Sequence, residues 1–188
     1  STSLTLGRAG TGFDHASAGI SADREEIRIK HDDKLTKDIS LQVEAIHSKN
    51  LDTGDKEQRL GVTTDVKVND WVLKGGVRHV EQKTTATDDS FQTFIVGAKR
   101  SIDIAGRNGS IEAEYEQAFG GSDRQRIALV ADVQVHDKIK VYARGERINS
   151  LSGVSGLSSS SASQDTIAVG IKSNLLPSTE LFSEYRVR

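Results

Sequence analysis

Five histidines, His15, His31, His47, His79 and His136, are the residues best able to do acid–base or metal chemistry, and they are scattered along the chain. None falls in a ligand spacing such as HExxH. His31 and His136 belong to turn-like stretches, and His47 and His79 stand near the loop ends of extended segments, where a histidine needs no catalytic account. Acidic pairs occur in loops at Asp52 and Asp55 and at Asp88-Asp89. A hydrolytic site would need His47 or His79 to approach Asp52 or Asp88, a base with an orienting carboxylate. That is the one enzyme-like arrangement the chain permits. The glycines at 7, 10 and 12 precede no Lys-Ser/Thr pair and no helix, so they do not read as a phosphate-binding loop. Asn108-Gly109-Ser110 matches a glycosylation sequon but reads better as a type I′ hairpin turn. With no cysteine in the chain, disulfides, thiolate metal sites, CxxCH haem attachment and a cysteine nucleophile are excluded. No cofactor or metal is expected.

The remaining charges are more orderly. Glu112, Glu114 and Glu116 recur at every second position, as do Lys74 and Arg78 around Gly76. Asp132, then Lys140, Arg144 and Glu146, then Glu180, Glu184 and Arg186 keep the same phase within their segments. In an extended strand, residues two apart share a face. Each set therefore lines one side, and the opposite side is apolar: Ile127, Leu129, Ala131 and Val133 in one segment, Ile39, Leu41, Val43 and Ala45 in another. Both signs occur on nearby segments, so cross-strand ion pairs are expected. The three glutamates should meet Lys74, Arg78, Lys99, Arg126 or Arg144.

Strands that place these residues are expected near 2–9, 16–30, 37–49, 58–68, 71–82, 91–103, 109–119, 125–136, 139–150, 164–173 and 179–188. Tight turns are expected at His31-Asp32-Asp33-Lys34, Asn69-Asp70, Gly106-Arg107-Asn108-Gly109, His136-Asp137-Lys138 and Asn174 to Ser178, where Asn, Asp and Gly tolerate positive φ or bond their own backbone. The only proline, Pro177, falls in the last of them. Longer loops, Gly10–His15, Asn50–Glu57, Lys83–Ser90, Gly120–Arg124 and Leu151–Ser163, alternate with these turns. The last is a low-complexity Ser/Gly run expected to be mobile. Asp65-Val66-Lys67-Val68-Asn69-Asp70 resembles Asp132-Val133-Gln134-Val135-His136-Asp137, 67 positions later. Two hairpins fit that interval.

Only 35% of the 188 residues are hydrophobic and mean hydropathy is −0.45, which leaves no room for a helical membrane span of roughly 20 apolar residues. A formal net charge of −2 and a pI near 6.2 lack the electrostatic footprint of a nucleic-acid partner. The chain reads as one domain over 1–188, and as a mature or excised segment whose signal peptide is missing.

The alternation does not say which face is inside; size does. A barrel of about eight strands can be filled by side chains, whereas a larger one encloses a space. Eleven strands lined inwardly by Val, Ile, Ala and Gly would surround a dry void, which is strongly unfavourable. Turned outward, the same residues meet hydrocarbon. Long apolar–charged strands joined alternately by tight turns and loose loops are the signature of a membrane-spanning β-barrel. The charged-aromatic strand ends IEAEYEQ and ELFSEYRVR belong to the same grammar, and with them the chain resembles bacterial outer-membrane β-barrel proteins. It departs from that class in its 5% aromatic content, in a C-terminal Arg188, and in an odd strand count. Trp71, Phe91, Phe119 and Tyr142 are the candidates for interfacial girdles.

The resemblance implies an all-β, antiparallel, up-and-down transmembrane barrel of about 10–12 strands, or a portion of a larger one, in a bacterial outer membrane. Its partners would be the lipid bilayer and lipopolysaccharide, to which loop carboxylates offer weak divalent-cation contacts, and other chains or domains that complete the barrel. Lys74, Arg78, Glu112, Glu114, Glu116, Asp132, Lys140, Arg144, Glu146, Glu184 and Arg186 would line the lumen, where the glutamate stripe could also select cations. The expected role is passive: a pore, a secretion conduit or a membrane anchor, and no enzyme. Two alternatives stand beside it, a soluble β-rich binding or adhesive module and an outer-membrane hydrolase with a site at the loop rim.

Overall fold

Strict alternation forces extended backbone, because a helix would scatter the apolar positions of each segment around its axis. The computed structural model, which describes residues 1–10, 23–85, 87–120, 123–149, 163–176 and 179–187, carries the alternation on eleven strands. They are β1 (Thr2–Ala9), β2 (Arg24–Lys34), β3 (Ile39–Asn50), β4 (Lys56–Val68), β5 (Trp71–Lys83), β6 (Asp88–Ile104), β7 (Arg107–Ala118), β8 (Gln125–His136), β9 (Ile139–Asn149), β10 (Gln164–Leu176) and β11 (Thr179–Val187). All lie in one sheet in sequence order, each antiparallel to its neighbours, so the chain runs up and down. Among the described residues β1 and β11 share no ladder, and no helix is long and apolar enough to cross a membrane.

The two ends of the sheet are unlike, as expected. At one end β4 and β5 are joined through Asn69-Asp70, with Asn69 at φ 55°, and β8 and β9 through Asp137-Lys138. At the other end the connections are longer. The 51–55 loop is held by Asn50, whose Oδ1 accepts the Asp52 and Thr53 amides at 2.9 and 3.0 Å. The two halves of the 67-residue repeat both end a strand and enter a tight turn, β4 into β5 and β8 into β9. The expected loop Leu151–Ser163 and Pro177 lie outside the described residues, except for Ser163, which precedes β10.

Two turns fall elsewhere than their composition suggests. His31-Asp32-Asp33-Lys34 is strand, paired through to Lys34↔Ser40. The reversal comes at 35–38, where Thr36 Oγ1 accepts the Asp38 and Ile39 amides at 3.2 and 3.1 Å. Alternation continues through the polar stretch, and the β3 ladder outweighs local turn propensity. Asn108-Gly109 is likewise strand, opposite Asp103 and Ile102. The two-residue turn is Ala105-Gly106, both with positive φ (53° and 77°), which matches the right-handed twist of the hairpin. Gly109 is required for another reason: a Cβ there would lie 2.6 Å from the Asp132 carbonyl of β8. β10 continues to Leu176 instead of ending near Ser173, with an irregular register between those residues. The strand expected over 16–30 begins at Arg24, and its first part, 16–22, lies outside the described residues.

The faces differ in exposure. Leu6, Leu129 and Ile167 are 69%, 55% and 62% exposed, whereas Ile95, Glu116 and Ala168 on the opposite face are 1%, 1% and 0% exposed. One sheet with no second layer produces that asymmetry only if it curves, so that side chains on the concave, charged face converge and those on the convex, apolar face splay apart. Of the girdle candidates, Trp71 and Phe119 lie on the apolar face, where Phe119 packs against Phe94 at 5.7 Å. Phe91 and Tyr142 do not. Phe91 shares a face with buried Thr93 and Ile95 and lies under the Arg124 guanidinium at 4.1 Å, and Tyr142 faces Gly170 on the charged side.

Ala105 is a non-glycine residue held in the left-handed region, where its Cβ crowds the backbone. Ala105→Gly is expected to raise the unfolding free energy by about 1 kcal/mol, read as a higher urea midpoint with an unchanged slope. Gly106→Ala should lower it.

Candidate functional site: the ion-pair layer of the charged face

The layer is built from five consecutive strands, β5 to β9. Register sets Lys74 opposite Gly97 and Gly97 opposite Glu114, and the same row continues to Ala128 and Glu146. Glu116 lies one step along β7, opposite Arg126 of β8. Neighbouring strands are about 4.8 Å apart, so Lys74 and Glu114 must reach over an intervening strand. They do so above Gly97, which has no side chain to obstruct them; a Cβ there would sit 3.4 Å from Lys74 Cβ and 3.1 Å from the Ala113 carbonyl. Lys74 Nζ lies 2.8 Å from Glu114 Oε2 and 3.4 Å from Glu112 Oε1.

Glu116 is the centre of the layer. Arg78 Nη1 donates to its two oxygens at 2.5 and 2.6 Å, and Thr93 Oγ1 donates to Oε1 at 2.6 Å. Arg126 binds two carboxylates, Nε to Glu146 Oε1 and Nη1 to Glu114 Oε1, both at 2.5 Å, and stands 3.8 Å from Glu116 Oε2. Lys99 closes the other side at 3.9 Å from Glu112 Oε2. Four cations (Lys74, Arg78, Lys99, Arg126) thus face four anions (Glu112, Glu114, Glu116, Glu146). The layer is neutral, which is what allows charges so deeply buried to persist.

Smaller clusters flank it on both sides. Tyr142 crosses β10 above Gly170 and donates its hydroxyl to Glu184 Oε2 at 2.7 Å; a Cβ on Gly170 would fall 2.5 Å from the tyrosine ring. Arg186 donates to the other Glu184 oxygen. Asp132 accepts from Ser110 Oγ at 2.6 Å and pairs with Lys140 at 3.0 Å. On the other side Arg28 pairs with Glu26 at 2.9 Å and lies 3.8 Å from Glu44, while Arg59 pairs with Glu57.

Of the charged residues expected on one face, Lys74, Arg78, Glu112, Glu114, Glu116 and Glu146 meet in the central layer, with Asp132, Lys140, Glu184 and Arg186 in the flanking clusters. Arg144 stands on the same face, opposite Val130 and Ala168, and makes no ion pair with the glutamate stripe. The side chain of Glu180 is outside the described residues. Sequence reasoning did not single out Thr93, Ser110, or the glycines at 97 and 170. Their one signal is phase: each occupies a charged-face position where a small residue faces a long one.

The loop-rim arrangement of His and Asp is not assembled. His79 Nε2 lies 3.2 Å from Glu81, and Asp88 pairs with Lys83 at 3.5 Å. Among the described residues no group of three or more His, Cys, Asp or Glu side chains is disposed to hold a metal ion.

No family model and no curated protein matches the chain. Among the solved structures it is similar to is one described as "Unveiling the Mechanism Behind the in-meso Crystallization of Membrane Proteins", with a TM-score of 0.48 and 8% identity over 87% of this chain and 70% of that one.

Replacing Glu116 by Gln removes the charge that Arg78 and Arg126 share and is expected to destabilise the fold by about 3–5 kcal/mol. Glu112→Gln, at the more exposed edge, should cost under about 1 kcal/mol. Equilibrium urea unfolding of the two variants under the same conditions distinguishes them. Similar losses for both would mean that burial does not set the strength of these pairs.

Proposed function

We propose that this sheet is the wall of an antiparallel, up-and-down transmembrane β-barrel in a bacterial outer membrane. Its role is passive, as a conduit or membrane anchor with a charged lumen, and it is not an enzyme. The observation that carries this reading is the course of the exposed apolar band. The hydrogen-bonded row through Leu60 is apolar at Leu4, Ile29 and Ala45 and then turns polar at His79 and Gln92. The row through Val66, six residues further along β4, carries no polar side chain through Leu73, Ala98, Ala113, Leu129 and Gly145 and on to Ile167 and Val187. The band therefore slides along the strands as it crosses the sheet. Strands tilted relative to a bilayer produce that drift, since a slab of constant height cuts their rows obliquely.

Its height agrees. From Leu60 to Val68 is roughly 26 Å along the strand at about 3.3 Å per residue, or about 20 Å of depth at a tilt near 40°. Outer-membrane barrels carry an apolar band of about 25 Å. In water the same surface would be a large apolar patch, of a size associated with interfaces or aggregation. The charged face supports the complementary role of a lumen wall, its neutral ion-pair layer bracing the strands from inside. In a closed barrel β1 and β11 would run in the same sense, so a ladder between them would be parallel. Antiparallel closure takes a further strand from another segment or another chain. The bilayer and lipopolysaccharide are the partners of the outer face.

The folded protein should require detergent or lipid and resist SDS until heated, migrating faster unheated. Leu129→Arg, at the middle of the band on β8, is expected to cost roughly 2–4 kcal/mol of stability in vesicles, as basic groups do at the bilayer midplane. A monomer that stays folded and soluble without detergent would instead favour a soluble binding module.

A further inference from the structure

Three lysines stand in a single cross-strand row at the loop end of the apolar face. Lys49 of β3 lies directly opposite Lys56 of β4, and Lys56 opposite Lys83 of β5. Like charges facing one another across a ladder repel. Lys83 is relieved by Asp88 at 3.5 Å. Glu25 faces Lys49 from β2, yet among the described residues neither Lys49 nor Lys56 forms an ion pair. An anion from outside the chain placed between them would turn that repulsion into attraction.

Polarity then falls away from the lysines in a fixed order. On β3 the outward residues run Lys49, His47, Ala45; on β4 they run Lys56, Gln58, Leu60. A groove of about 420 Å³ opens alongside, with Ile27, Ile29, Ala45 and Leu60 as its apolar walls and His47 and Gln58 between these and the lysines. Cation, hydrogen-bonding group and hydrocarbon surface follow one another over about 13 Å of strand. An anionic lipid has the same order: phosphate, polar linkage, acyl chain. On the far side of the groove Glu81 lies 3.2 Å from the His79 ring, so the negative headgroup is confined to the Lys49–Lys56 side.

The geometry points to a bound anionic lipid on the β2–β5 wall, its phosphate between Lys49 and Lys56 and one acyl chain in the groove against Ile27, Ile29, Ala45 and Leu60. This rests on the membrane reading above and adds to it a site with a defined headgroup charge. Zwitterionic lipid would also fill the groove, but its positive headgroup group opposes the two lysines.

The folded protein in nonionic detergent is titrated with phosphatidic acid and, separately, with phosphatidylcholine of the same chains, and bound lipid is counted by native mass spectrometry. The first phosphatidic acid should be held roughly tenfold or more tightly than phosphatidylcholine, as two lysines near a phosphate surface imply. Lys49→Gln with Lys56→Gln, which also relieves the repulsion and so preserves folding, should remove that preference. Ala45→Trp, which fills the groove, should weaken both lipids. Equal retention of the two lipids, or a preference unchanged in the double variant, overturns the site while the heat-modifiable barrel still stands. Competition by inorganic phosphate with no effect of Ala45→Trp overturns the acyl-chain half. A protein that folds without detergent and retains neither lipid overturns the membrane reading itself.

Discussion

A carboxylate as deeply buried as Glu116 is tolerable only because two guanidiniums and a hydroxyl converge on it. The partners come from three other strands, so the requirement reaches across the sheet. Period-2 alternation forbids a slip of one residue, which would turn every side chain to the wrong face. It does not forbid a slip of two, which keeps every apolar residue outside. The charges do: sliding β7 by two residues against β5 would offer Arg78 a different glutamate and leave Glu116 or Glu112 without its present partner. Alternation thus sets the faces, and ion pairing selects one register from those that share them.

This division explains what was legible in the chain. Strands such as β4, β5, β8 and β9 could be placed closely because each carries an unbroken alternation between two turn signals. The pairing of the glutamate stripe with Lys74, Arg78, Lys99 and Arg126 was also readable, since face and neighbourhood follow from hairpin connectivity. Positions where local composition and ladder disagree were not. His31 to Lys34 has the residues of a turn and the partner of a strand, and the partner prevails. Asn108-Gly109 has the residues of a type I′ turn, but the reversal had already been made at Ala105-Gly106. Tyr142 has the character of an interfacial aromatic, yet its phase with Lys140 and Arg144 puts it on the charged face, where the empty position at Gly170 gives its ring room. Absence of a side chain gives no sequence signal unless the residue opposite is already known.

Backbone contacts between successive hairpins add a further restraint at the rims. The Lys67 amide donates to the Asp38 carbonyl at 2.7 Å and the Ser101 amide to Asp70 at 3.2 Å, each tying one tight turn to the next hairpin. At the loop end the Leu51 amide donates to Asp23 at 2.7 Å and the Phe119 amide to Gln92 at 2.9 Å. These bonds satisfy groups that would otherwise hang free beyond the ladders, and they keep the ends of the strands at a common level.

Pairing of each strand only with its sequence neighbours has a consequence for how such a sheet comes into being. Every ladder closes a short loop of chain, so the entropy lost in forming it is small, and no strand must wait for a distant one before it can bond. Growth can proceed one hairpin at a time from an existing edge. Lengthening the gene by a hairpin, or by the pair of hairpins that the 67-residue repeat spans, would extend the sheet without disturbing what is already built. The repeat is what such duplication would leave behind, and the width of the sheet is then a quantity that descent can adjust in steps of two strands.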